Sequence, residues 1–223
     1  MNYYNLKIVA LLKQDLDNFS AYEKISNLIS LSMLKDNNLK QIHEQNTYKN
    51  YVFCNLYPIE KDSIYKKNNI YTFDLRGIEI EKILKLKKVM NNAENDYLKV
   101  IQIIFQTNQQ REIKKLITLT PTIITTEKGD YDIKDNLEFV KQRILANTQK
   151  KYKNIFKDNV NIDFIKDIKK TNVKPIKIPY KNINILGNKF ELFINEDKMS
   201  QDLAFLILSI GCLEKNAIGF RIL

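Results

Sequence analysis

Residues 3–34 read YYNLKIVALLKQDLDNFSAYEKISNLISLSML, and two hydrophobic periods meet inside them. Tyr3–Leu12 alternates and is rich in β-formers, which predicts a strand with one buried face. Beyond it, Phe19, Tyr22, Ile25, Ile29 and Leu34 recur near helical spacing, with Asn18 or Ser20 placed to cap the helix start. The alternation continues outward. YVFCNLYP (residues 51–58) and NIYTFDLRG (69–77) read as strands separated by a polar segment. EIEKILKLKKVMNN (79–92) is an amphipathic helix and YLKVIQIIFQT (97–107) a strong strand. The first half therefore runs β-α-β-β-α-β.

The second half repeats that order less clearly. EIKKLITLTPTIITTE (112–127) is strand-like, with Pro121 implying an edge, a bend or two short pieces. Residues 135–156 form one long helix with an exposed basic face. VNIDFIKDIKKTNV (160–173) and PIKIPYKNINILGNKFELFI (175–194) read as strands, with Gly187 at a turn. KMSQDLAFLILSI (198–210) is a short buried helix and AIGFRIL (217–223) a closing strand. Two β-α-β-β-α-β units in tandem make an α+β chain of two ferredoxin-like (RRM-like) domains, residues 1–109 and 110–223.

Composition narrows the function classes. The 223 residues carry a net charge of +10, which asks for an acidic partner such as nucleic acid or an anionic membrane. The excess is concentrated: eleven lysines between Lys150 and Lys189 face only Asp158, Asp163 and Asp167. The longest apolar run, Leu203–Ile210, is far short of the ~20 residues that span a bilayer. No amphipathic anchor accompanies the charge, so no membrane partner is expected. Cys54, Cys212 and the single histidine match no metal-ligand or disulfide spacing, so neither a metal nor another cofactor is expected. Residues 1–12 lack signal-peptide features, which with the two cysteines predicts a cytoplasmic protein.

The one histidine, His43, lies in LKQIHEQNTYKNYVF (residues 39–53), read as a polar loop between the first helix and the second strand. Lys49 stands six positions on, where the strand begins. An imidazole and an ammonium suit metal-independent cleavage of RNA. In that reaction a ribose 2′-hydroxyl attacks the adjacent phosphorus, a histidine moves the proton and a cation stabilises the phosphorane-like state.

A second constellation closes the chain. Gly211 follows a helical run and gives a tight exit from it. Gly219 allows close approach of a backbone or a phosphate. Lys215 and Asn216 between them donate hydrogen bonds. A plain helix stop and β-turn would need the same glycines.

GCLEKNAIGFRIL (residues 211–223) resembles the glycine-rich signature of the CRISPR repeat-processing endoribonucleases of the RAMP superfamily. That signature reads roughly Gly-Leu-Gly-Glu-Lys-Asn-Ser-hydrophobic-Gly-Phe-Gly. Gly211, Glu214, Lys215, Asn216, Gly219 and Phe220 match it, whereas Leu213, Ala217 and Arg221 depart from it. The likeness extends along the chain through YKNYVFCNLYP (48–58), NIYTFDLRG (69–77), LITLTPTIITTEKG (116–129) and FVKQRILANTQKKYKNIF (139–156).

The resemblance implies tandem ferredoxin-like domains and metal-independent cleavage of the precursor transcript within each repeat, leaving a 2′,3′-cyclic phosphate and a 5′-hydroxyl. It implies His43 and Lys49 as catalytic residues and the segment with Gly211, Lys215, Asn216 and Gly219 as RNA-binding. The basic stretch, with Arg76, Lys150, Lys151, Lys174 and Lys177, would hold the repeat through phosphates. A tyrosine that some members place late in the first helix is absent, since Leu28, Ile29 and Ser30 stand there. Tyr22, Tyr48, Ser30 or the histidine alone would take its part. The alternative is a non-catalytic RNA-binding RAMP subunit. Expected partners are CRISPR repeat RNA and other subunits of a CRISPR effector complex, with the chain a monomer or homodimer.

Overall fold

A computed structural model describes residues 1–45, 48–126, 129–130, 136–180 and 183–213. They divide into two units, residues 2–108 and residues 109–213 with Met1.

In the first unit, β1 (Asn2–Leu12) is followed by the two-residue β2 (Leu16–Asp17), then α1 (Asn18–Met33) and α2 (Asn37–Glu44). After these come β3 (Tyr51–Phe53), the short β4 (Ile64–Tyr65), β5 (Ile70–Gly77), α3 (Ile80–Met90) and β6 (Leu98–Gln109). The main sheet has the order β3-β5-β1-β6. Leu6, Ile8, Ala10 and Leu12 are fully buried, and antiparallel register sets Leu6 opposite Leu75 and Ile8 opposite Phe73. Against that face pack Ala21, Ile25, Leu28, Ile29 and Met33 of α1 and Ile83, Leu86 and Met90 of α3. Burying aliphatic side chains of this kind stabilises by roughly 1.5–3 kcal/mol each, which fixes both helices on one side of the sheet.

Helix α1 begins one residue earlier than the candidate caps. Asp17 is the N-cap, its carboxylate accepting from the amides of Phe19 (3.0 Å) and Ser20 (2.9 Å). Asn18 turns its side-chain oxygen to Asn55 and Tyr65 instead.

The second unit contains β7 (Lys115–Ile117), β8 (Thr125–Thr126), β9 (Gly129–Asp130) and α4 (Leu137–Phe156). Then follow β10 (Ile165–Lys170), β11 (Ile176–Tyr180), β12 (Ile183–Gly187), β13 (Phe190–Ile194) and α5 (Lys198–Ile210). Its sheet has the order β10-β13-β7. Taken as second, third and first strands of a unit, this is the order of β3-β5-β1, with α4 and α5 in the places of α1 and α3. The expected closing strand, residues 217–223, lies outside the described residues.

Pro121 does separate two short pieces, since β7 stops at Ile117 and Thr122 pairs with Asn188 before β8 begins. An added hairpin, β11–β12, sits between β10 and β13, and Gly187 closes β12 opposite Ile176 rather than occupying a turn. Among the described residues no helix is long and apolar enough to cross a membrane.

Candidate functional site

His43 does not sit in a loop. Asp36 caps a second helix, its carboxylate accepting from the Leu39 amide (3.0 Å), and His43 occupies the last turn of α2. Leu39 is buried and Ile42 packs against the core, so one short apolar edge holds the helix down. His43 itself is half-buried.

The Lys49 ammonium reaches back to the end of that helix. It donates to the carbonyls of Ile42, His43 (2.8 Å) and Gln45 (2.7 Å). The last carbonyls of a helix have no intrahelical partner, and an ammonium carries three donors. Burial lowers the Lys49 pKa, and the nearby Lys82 charge lowers it further. The structure thus brings His43 and Lys49 together through the His43 backbone.

Three residues that carried no sequence signal fix Lys49. Asn50 adopts φ 52°, a left-handed conformation. Its side-chain Nδ2 donates to Glu79 Oε1 (2.8 Å), which also accepts from Lys82 (2.8 Å). Lys82 in turn donates to the Lys49 carbonyl (3.3 Å). Gly77 lets the Asn50 backbone carbonyl oxygen come close, because a Cβ there would lie 2.8 Å from it. Beside the network, a cavity of about 480 Å³ opens between α2 and the start of α3, with Asn38, Ile42, Glu79, Lys82 and Lys85 in its lining.

Among the candidate substitutes for the missing tyrosine, Tyr22 packs against the core of the first unit. Burial, reinforced by Tyr65 and Cys54, raises its phenol pKa well above the usual value. That makes it a poor proton donor. Among the described residues no group of three His, Cys, Asp or Glu could hold a metal ion.

In the second unit, Gly211 ends α5 with φ 88° and ψ 158°, and its amide donates to the Ile207 carbonyl (2.8 Å). This is backbone that glycine adopts without strain. Lys215, Asn216 and Gly219 lie outside the described residues.

Two expected phosphate contacts are corrected. Lys151 is 2% exposed, and its ammonium donates to the carbonyls of Gly211 and Leu213, each at 2.8 Å. It faces inward because Val140, Ile144, Thr148 and Lys151 share the buried stripe of α4. Cys212 between those carbonyls is buried, which pushes its thiol up to about 12 despite the opposing charge of Lys151. Arg76 is 1% exposed, its guanidinium over the Tyr3 ring (5.6 Å). Lys150, Lys174 and Lys177 are exposed.

A family model for the C-terminal part of CRISPR-associated protein Cas6 matches residues 106–223, just over half of the chain. The chain belongs to the Cas6 family. No curated protein matches it by sequence. Among solved structures, a CRISPR-associated protein Cas6 is 16% identical with a TM-score of 0.71, the match covering 99% of this chain and 98% of that one. A RAMP protein binding different RNA substrates is 14% identical with a TM-score of 0.72, covering 98% of both. A Cas6-related protein from Pyrococcus furiosus is 16% identical with a TM-score of 0.68, covering 99% and 98%. At these identities the likeness establishes the fold, which is the tandem ferredoxin-like arrangement of the Cas6 structures.

Proposed function

We propose that this Cas6-family chain is an endoribonuclease that binds CRISPR repeat RNA and cuts the precursor transcript within its repeats to release guide RNAs. The reaction is metal-independent: the ribose 2′-oxygen attacks the adjacent phosphorus, the P–O5′ bond breaks, and the products carry a 2′,3′-cyclic phosphate and a 5′-hydroxyl. His43 moves the proton as general acid or general base, with Lys49 completing the site at the end of its helix. The phosphates of the repeat rest on Lys150, Lys174 and Lys177, and the segment with Gly211, Lys215, Asn216 and Gly219 contacts the RNA.

The observation that carries this reading is the setting of His43. The chain's single histidine sits at a helix end, partly open to solvent, with the Lys49 ammonium bonded to its backbone carbonyl. Membership in the Cas6 family supplies the RNA. The test is incubation of labelled repeat RNA with the chain in EDTA. Cleavage is expected, with a loss of about 10²–10⁴-fold in His43→Ala while RNA affinity is kept. An undiminished rate in that variant would sink the assignment of His43.

A second reading is a non-catalytic RNA-binding subunit. It is favoured by the engagement of the Lys49 ammonium with backbone carbonyls, and by the likeness to a RAMP protein that binds different RNA substrates. Tight repeat binding without cleavage selects it.

A further inference from the structure

We infer that Lys49 is a positioning residue that acts through His43, holding the end of the histidine-bearing helix rather than touching the phosphate itself. The inference rests on the proposed role of His43 and concerns how that residue is kept in place.

An eight-residue helix is marginal without tertiary support, and its C-terminal turn is the part most prone to fray. The support available within α2 is slight. Asp36 secures the opposite end. The Lys40–Glu44 pair, 3.9 Å apart and exposed, adds little. At the His43 end the Gln45 amide makes one bond to Gln41 (3.1 Å), leaving the last carbonyls in need of donors. Lys49 supplies them, donating to Ile42, His43 and Gln45 at once. Hydrogen bonds from an ammonium are stronger than neutral ones, and a cation at this end also suits the helix dipole.

With its donors turned onto three carbonyls, the ammonium is not presented to a substrate. Its own position is over-determined from the other side: Lys82 holds the Lys49 carbonyl, and Glu79 ties Lys82 and Asn50 together. The Lys82 side chain is only 10% exposed, so this support comes from inside the fold. The chain of contacts runs from the first turn of α3, through residues 49–50, to the last carbonyls of the histidine-bearing helix.

The experiment is a double-mutant cycle on single-turnover cleavage of repeat RNA by the full chain, with thermal unfolding recorded for every variant. Lys49→Met is expected to slow cleavage about 10–100-fold in the native background and less than about twofold in His43→Ala. An equal loss in both backgrounds would overturn the inference, because the ammonium would then act on the phosphate directly. A His43→Ala variant as fast as the parent would instead remove the proposed role of His43, and the inference with it.

The chain's single histidine gives a second readout that needs no activity. In tag-free protein the His43 Cε1–H proton signal is expected to shift or broaden in Lys49→Met, and an unchanged signal would contradict the inference. This signal decides the matter where His43→Ala leaves no measurable rate. Should Lys49→Met not fold, Lys49→Arg takes its place in both measurements. Its planar guanidinium cannot set three donors on three converging carbonyls, so a smaller loss, again absent in His43→Ala, is expected.

Discussion

Single side chains at helix ends set much of the local geometry here, and Asp17 shows it in its plainest form. Burial tends to raise its pKa, but hydrogen bonds from the Ser20 side chain and from the amides of Ser20 and Phe19 outweigh that and hold it below the usual 3.8. A carboxylate depressed in the folded state stabilises above its unfolded pKa, and that contribution is lost as pH falls through the folded value. Asp17→Ala is therefore expected to lower stability by about 1 kcal/mol near neutral pH. The gap between parent and variant should close as the pH falls below about 3.8, in thermal unfolding followed across that range. A gap that persists at lower pH would mean the cap acts by packing rather than by charge. The cap is nearly legible in the sequence: Asn18 and Ser20 are both good capping residues, and the side chain that bonds the amides is Asp17, just before them.

At the scale of elements, legibility followed length and periodicity. Strand β1 and helices α1 and α3 were plain because their apolar positions recur over several turns or alternations. Helix α2 was not, because it has eight residues and one fully buried side chain, Leu39, which is too little to display a period. The burial of Lys151 escapes the sequence for a different reason. Charge counting treats every lysine of a basic run alike, whereas a helix turns neighbours ~100° apart, so Lys150 faces solvent and Lys151 does not. The 140–144–148–151 spacing was the available signal. Because Lys151 bonds the carbonyls at the exit of α5, it sets where the glycine-rich segment departs. Lys151→Met is expected to weaken RNA binding about tenfold or more with an unchanged salt slope, since no phosphate contact is lost. A slope reduced by about 0.7–0.9 would show a direct contact.

For the whole molecule, the charge of +10 and the repeated order of elements are both legible in the residues alone. The order β10-β13-β7 repeats β3-β5-β1, which makes the tandem arrangement a matter of strand order as well as sequence rhythm. What sequence could not supply was which charges reach solvent. Arg76 rests over an aromatic ring and is withdrawn, while Lys150, Lys174 and Lys177 remain exposed. Replacing those three lysines together by glutamine is expected to lower the slope of log affinity against log salt by about 2–3, with little change in thermal stability. An unchanged slope would place the RNA elsewhere.

The proposed reaction is cleavage of repeat RNA through the ribose 2′-oxygen without a metal. Its most direct test is cleavage of paired repeat RNAs in EDTA, one native and one carrying a single 2′-deoxyribose on the 5′ side of the scissile phosphate, with the product ends analysed. The native RNA is expected to be cut to a 2′,3′-cyclic phosphate and a 5′-hydroxyl while the deoxy RNA stays intact but bound. Cleavage of the deoxy RNA, or cleavage that appears only when a divalent metal is added, would contradict it.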